Sequence, residues 1–361
     1  MKRHWIFGAL LIGAAISGLF LVCLNPGYAA EKPILMKIAN PGPGHPHKHM
    51  IAAGTLEFKD YVERLSGGAI QVEVYPGFQL GNMREMMEMT KLGTTQATTC
   101  YSAVATMFLP EIEVIYIPFA FSSPEIVWRV FDGWFGEKMK RHWIEKTGLL
   151  PLYQADNGGN RAFGMRKKQI YKPGDLKGMK IRIPESESLR IFIESFGGAA
   201  PTITFTELYS AVQTGVVDGF EVPAAVFMFA KLHEVIKYAS ITNHTWDMTF
   251  LLVNREWFKG LPEDYRKILI EAGRHAEIVN RGMSELLAAE IIDKLKKANV
   301  GVYTPDESTK EEFRKICQKP VEIFVRKKIG DQWVDDFFKA VREAEAAAKE
   351  ETGRTYRTFM K

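Results

Sequence analysis

Apolar positions along the chain recur with two different periods, and the switches between them mark out the elements. Leu35-Met36-Lys37-Ile38-Ala39 reads as a first strand, followed by the loop Pro41-Gly42-Pro43-Gly44. Ala52, Leu56, Phe58, Val62 and Leu65 then fall at helical spacing until Ser66-Gly67-Gly68 ends the run. Ile70, Val72 and Val74 alternate with Gln71 and Glu73 as a second strand stopped by Pro76, and a helix is expected over Met83 to Leu92. Leu150-Pro151-Leu152-Tyr153 gives another strand before the turn-rich stretch Asn157-Gly158-Gly159-Asn160-Arg161. Strand and helix keep alternating, which places the chain in the α/β class.

The segment from Leu176 to Pro223 is the most informative. Met179, Ile181 and Ile183 alternate with Lys180 and Arg182 until Pro184 stops the ladder. A helix is expected from a Thr206 cap, packed through Leu208, Ala211 and Val212 and ended by Gly215. Val216-Val217 then reads as a strand running into an Asp218-Gly219 turn. Farther on, Asp264 to Ala298 is one long helical run, interrupted only by Gly273 and Gly282 at about 1 kcal/mol each against Ala. Trp333 to Lys349 reads as an amphipathic closing helix.

Residues 1–30 follow a different pattern. Lys2, Arg3 and His4 precede an apolar run from Ile6 to Leu24, and Gly27-Tyr28-Ala29 supplies small residues around a cleavage point. This is a leader for export, although the apolar run is long enough to serve as an uncleaved anchor. Val22 before Cys23 argues against lipidation. The formal net charge is +4 over 361 residues, and two of those charges sit in the leader, so nucleic acid is not an expected partner. Hydrophobic residues make up 46% and charged residues 25%, enough for a sizeable core and two lobes. Cys100 and Cys317 remain after processing and carry no disulfide-framework spacing; we expect no bridge.

Motifs of catalysis are absent: no G-x-S-x-G, no H-E-x-x-H and no G-x-x-x-x-G-K occurs. What the chain does carry is K-I-R-I-P at Lys180–Pro184 and F-x-E-L-Y-x-A-V-Q-T-G-V-V-D-G-x-E-x-P from Phe205 to Pro223. In order and spacing these resemble the extracytoplasmic solute-binding proteins of TRAP transporters, the DctP type. Further matches run from about Lys37 to about Val325, including Ser66-Gly67-Gly68 with Val74-Tyr75-Pro76, Gln79-Leu80-Gly81, Leu109-Pro110-Glu111, Ile117-Pro118-Phe119 and Ile241-Thr242-Asn243-His244. The resemblance implies a two-lobe periplasmic solute-binding protein fold with hinge strands and a long lobe-spanning helix. Residues 31–157 and 248–287 would form one lobe, 158–247 and 288–332 the other, and 333–361 a helical tail. It implies a monomer in the periplasm that binds a small organic acid and delivers it to membrane subunits, without catalysis and without a cofactor. An exported enzyme and a ligand-presenting partner of a periplasmic sensor are the alternatives.

Within that resemblance Arg182 matches the carboxylate clamp of the family, and Arg161, in an N-G-x-R-like context with one extra residue, matches a second arginine. A guanidinium on a rigid strand can grip a carboxylate through two parallel charge-assisted hydrogen bonds. Sialate binders of the family carry polar residues where this chain has Met83, Tyr101, Val104 and Val222, while their pocket aromatic is kept as Phe205. Such a pocket would leave sugar hydroxyls unpaired at about 1–3 kcal/mol each. We therefore expect a smaller or more apolar acid, walled by Met83, Tyr101, Phe205 and Val222. Glu221 matches an acid through which some keto-acid binders hold a cation, but those follow it with Trp rather than Val222. The histidines of His45-Pro46-His47-Lys48-His49 lack a fourth ligand, so no metal is expected there. Trp246, Asp247 and Trp257 read as packing or hinge residues.

Overall fold

A computed structural model describes residues 32–45 and 49–360; the expected leader lies outside the described residues. The first sheet forms around β1 (Ile34–Ala39), which pairs in parallel with β2 (Ile70–Tyr75) on one side and β3 (Ala97–Tyr101) on the other. Parallel neighbours require crossovers, supplied by α1 (Met50–Leu65) and α2 (Met83–Lys91). His49 caps α1, its Nδ1 accepting from the Ala52 amide. Asn82 and Glu85 close a reciprocal cap on α2. Ala52, Phe58 and Val62 are buried as their spacing implies, but Leu56 is half-buried and Leu65, in the last turn, is exposed.

After α3 (Ser102–Ala105), α4 (Pro124–Asp132) and α5 (Trp134–Thr147), the chain enters β4 (Leu149–Met165). The glycine-rich stretch expected as a turn is instead the middle of this strand. Register shifts between Pro151 and Tyr153 and between Asp156 and Gly159 absorb the extra residues as bulges. At the second bulge Gly159 has a φ of +71°, and a Cβ there would stand 3.0 Å from the Trp246 ring.

Past that bulge β4 belongs to a second sheet. It holds β5 (Ile181–Arg182), β6 (Gly219–Pro223), β7 (Tyr238–Ser240) and β9 (Gly301–Tyr303), with α6 (Glu187–Glu194), α7 (Phe205–Thr214) and α8 (Val226–Phe229) in the connections. The cap of α7 is Thr204 rather than Thr206, and the strand expected at Val216-Val217 begins only at Gly219. β8 (Trp246–Asn254) returns to the first sheet between β3 and β4, antiparallel to both. The strand order is β2-β1-β3-β8-β4-β6-β5, with β7 pairing β4 and β9 pairing β7. The sheet is mixed, since β6 runs antiparallel to β4 and parallel to β5.

After the short α9 (Arg255–Lys259), α10 (Glu263–Lys297) ties the halves together. Leu269, Ala272 and Ala276 join the core under β1 and β2, whereas Ile291 and Leu295 join the core of Leu208, Phe220 and Ile241. Gly273 is no break in this helix. A Cβ there would meet the Leu152 carbonyl at 2.5 Å, so only glycine lets α10 lie this close to β4. α11 (Glu307–Ile329) and α12 (Asp331–Phe359) cover the outside, burying Phe313, Val321, Val334 and Phe337 in a shared cluster. The closing helix runs farther than expected, and its last turns expose Tyr356 and Phe359. Cys100 and Cys317 are buried and unbridged. Among the described residues no helix is long and apolar enough to cross a membrane.

Candidate functional site

The parallel strands of both sheets end at one cavity, the crevice where α/β folds place their ligands. Pro41 follows β1, Tyr101 ends β3, Arg182 and Pro184 end β5, and Val222 and Pro223 end β6; all of them line it. The cavity is tight, with about 40 Å³ open to the centre of a water-sized sphere. Six polar side chains face this space, His49, Tyr101, Asn157, Arg161, Arg182 and Asp247, and the remaining lining is apolar.

Arg161 sits on β4 between β8 and β6, and each neighbour supplies a carboxylate, Asp247 and Glu221, two register positions from it on either side. Its Nε donates to Glu221 Oε2 at 2.5 Å, and Nη2 donates to Glu221 Oε1 at 2.7 Å and to the Glu221 carbonyl at 2.8 Å. Nη1 donates to Asp247 Oδ2. Burial alone would lower this guanidinium, but Glu221 and Asp247 outweigh it and raise it. Burial likewise pushes the Glu221 carboxyl up, and Arg161 with His244 brings it below its usual value. For Asp247 burial wins and the carboxyl is raised, in spite of Arg161. The Asp247 oxygens also accept from the Ser102 hydroxyl, from the Tyr116 hydroxyl at 3.0 Å and from Asn157 Nδ2 at 3.2 Å. His244, stacked on Phe163 and Phe192, closes the network: Nε2 lies 3.5 Å from Glu221 and Nδ1 lies 2.7 Å from the Thr242 hydroxyl.

Arg182 is as deeply buried, at 1% exposure, but its surroundings are bare. Nε donates to the Ile203 carbonyl at 2.7 Å, and Nη2 is buried with no partner among the described residues. Burial lowers its pKa to about 10, so it remains a cation at neutral pH. An unpaired buried guanidinium is costly and calls for an anion.

Of the residues expected at the site, Arg161, Arg182, Tyr101, Phe205 and Val222 come together at the cavity. Met83 does not: as the first residue of α2 it is buried in the core with Met86 and Met87. Val104 is likewise buried there. Glu221 also stays off the cavity, because it alternates with Val222 along β6 and points to the Arg161 side. Asp247, Asn157, Phe78 and Phe229 line the cavity without having been singled out as ligand contacts. Only their chain neighbours carried a signal: Asn157 opens the glycine-rich stretch and Phe78 precedes Gln79-Leu80-Gly81. Among the described residues no group of acidic, histidine or cysteine side chains could hold a metal. His49, lowered to about 3 by burial and then by His45, is neutral and serves as a cap.

Residues 42–328 match the family model described as bacterial extracellular solute-binding protein, family 7, the DctP family. The chain belongs to this family. The solute-binding protein is 30% identical over 86% of its length to the C4-dicarboxylate-binding periplasmic protein DctP of Rhodobacter capsulatus, 90% of which is covered. Among solved structures, it resembles a sugar acid binding protein of Advenella mimigardefordensis in complex with galactonate. There the TM-score is 0.82 and the identity 25%, covering 87% of this chain and 99% of the other. A TRAP periplasmic solute-binding protein of Sulfurospirillum deleyianum with bound succinate gives a TM-score of 0.78 at 25% identity, covering 84% and 98%. The solute-binding protein therefore has the two-lobe architecture of TRAP binding proteins, a family that binds small organic acids for delivery to membrane subunits.

Proposed function

We propose that this protein, exported to the periplasm and acting there as a monomer, holds a small organic acid by its carboxylate at Arg182. It releases the acid unchanged to the membrane subunits of a TRAP transporter. The observation that carries this reading is the Arg182 guanidinium, buried at the cavity with Nη2 unpartnered among the described residues. An incoming carboxylate would complete its hydrogen bonds and neutralise its charge in one step, and the low dielectric of a closed cleft strengthens that pair. The relatives and neighbours support it from another side. C4-dicarboxylates, galactonate and succinate, the ligands of these proteins, all carry a carboxylate. Tyr101, Phe205 and Val222 then wall the ligand, with residues of both sheets contributing to one cleft. Mass spectrometry of the protein purified in native form identifies the bound acid, and calorimetry with that acid on the parent and on Arg182→Ala tests the clamp. An acid recovered unchanged after long incubation, with affinity lost in the variant, is the expected result. Equal affinity in the variant ends the reading.

A further inference from the structure

The cavity's polar groups are mostly spent before any ligand arrives. Arg161 directs four hydrogen bonds at Glu221 and Asp247. Asp247 accepts two bonds on each oxygen, from Ser102 and Tyr116 on Oδ1 and from Arg161 and Asn157 on Oδ2. A carboxylate has about four such acceptor sites, so none is left. His49 is neutral and uses Nδ1 on the Ala52 amide. What remains for a ligand is the Arg182 fork, the His49 Nε2–H, the Tyr101 hydroxyl and the Asn157 side-chain oxygen, which have no further partner among the described residues.

The charges sum the same way. Arg161 and Arg182 offset Glu221 and Asp247, so one carboxylate already leaves this buried set with a negative charge. A second carboxylate would add another beside Asp247 with no free cation to meet it. An ammonium group would find Asp247 without a lone pair, and a chain of hydroxyls would outnumber the free partners. Much of the remaining lining is apolar: the Phe78 and Phe205 rings have centroids 6.2 Å apart, and Ile51, Val226 and Phe229 also line the cavity. Phe78, which lines the cavity, holds a φ of +61°, a left-handed conformation rare for a bulky residue.

We propose that this site selects monocarboxylates with an apolar body packed against Phe78 and Phe205, and that Asp247 sets the choice by withdrawing Arg161 from ligand service. The inference rests on Arg182 as the carboxylate clamp. Its test is a calorimetric panel on the exported protein after its native ligand has been dialysed away in mild denaturant. The probes are 3-phenylpropanoate, 4-methylpentanoate, succinate, galactonate, phenylalanine and the uncharged 3-phenylpropanamide. The two monocarboxylates are expected to bind at least about tenfold more tightly than succinate, galactonate or phenylalanine. In Asp247→Asn, which frees part of the Arg161 charge, the gap to succinate narrows. Succinate or galactonate binding as tightly as the monocarboxylates overturns the proposal, as does a panel in which neither monocarboxylate binds. If Asp247→Asn does not fold, the panel on the parent decides alone. The clamp fails separately: the amide would match its acid, or Arg182→Ala would keep the affinity of whichever acid binds. A parent that prefers succinate but loses it in Arg182→Ala keeps the clamp and refutes only the selectivity.

Discussion

Arg161 and Arg182 are both buried arginines at one cavity, yet they sit in opposite kinds of surroundings. Around Arg161 the neighbouring strands bring two carboxylates and a carbonyl, and nearly every donor is used. Around Arg182 the one bond is to the Ile203 carbonyl, and Nη2 is unmet among the described residues. Burial therefore does not separate a structural arginine from a ligand-binding one; the number of unmet donors does. The first guanidinium holds β4, β6 and β8 together. The second is left incomplete, and an anion completes it.

Replacing each arginine should separate the two roles. Arg161→Ala leaves Glu221 and Asp247 buried without their cation and should cost about 3–5 kcal/mol of stability, read by urea unfolding without ligand. An unchanged midpoint would show that the network does not hold the strands. Arg182→Ala removes an unpaired charge, so the ligand-free midpoint should stay or rise. Affinity for the native acid should fall by about 2–5 kcal/mol, about 30-fold to several-thousand-fold. Arg182→Lys keeps the charge without the planar fork and should recover only part of this. A smaller loss, about 1–2 kcal/mol, is expected for Gly159→Ala, because the positive φ and the Trp246 ring both oppose a Cβ at the bulge that presents Arg161. Thermal melts would detect it.

A pH-dependent effect concerns Asp156, beside the same bulge. Burial raises its carboxyl from 3.8 to about 7, against the opposing pull of Arg281 and the indoles of Trp128 and Trp246. A carboxyl that binds its proton more tightly when folded contributes stability that is complete below about pH 4 and lost as pH climbs through about 7. Melting temperatures should decline across that window, and Asp156→Asn should flatten the decline. Equal slopes in parent and variant would discount the group.

The periodic stretches were readable because each buries one face along its length. The strands at Ile34–Ala39 and Ile70–Tyr75 and the helices from Met83 and Glu263 begin and end within a residue or two of their sequence patterns. The middle of β4 was not readable. Asn157-Gly158-Gly159-Asn160 has the local chemistry of a turn, and only pairing with β8 and then β6 makes it a bulged strand. Val217 is buried and Val216 is 59% exposed, so two β-branched residues side by side did not make a strand. At the cavity, motif context singled out Arg182, Phe205 and Val222. Glu221 was misplaced by a single step of strand alternation, and Met83 by the inward turn of α2. Asp247 could not be found from its own neighbourhood, since its meeting with Arg161 depends on how the bulge sets β4 against β8.

The return of β8 also bears on how the chain comes to be folded. Ala97 on β3 pairs with Val253 on β8, so the first sheet keeps an open edge until the chain beyond residue 250 has arrived. Contacts this distant in sequence form slowly, because the loop must close before any bond repays it. A polypeptide emerging N-terminus first thus cannot close this sheet until β8 follows. Pulse-labelled exchange should find the amides of β1 and β3 protected only together with those of β8. The strand that completes the first sheet thus keeps that sheet unfinished until residue 254 of the 361 has emerged.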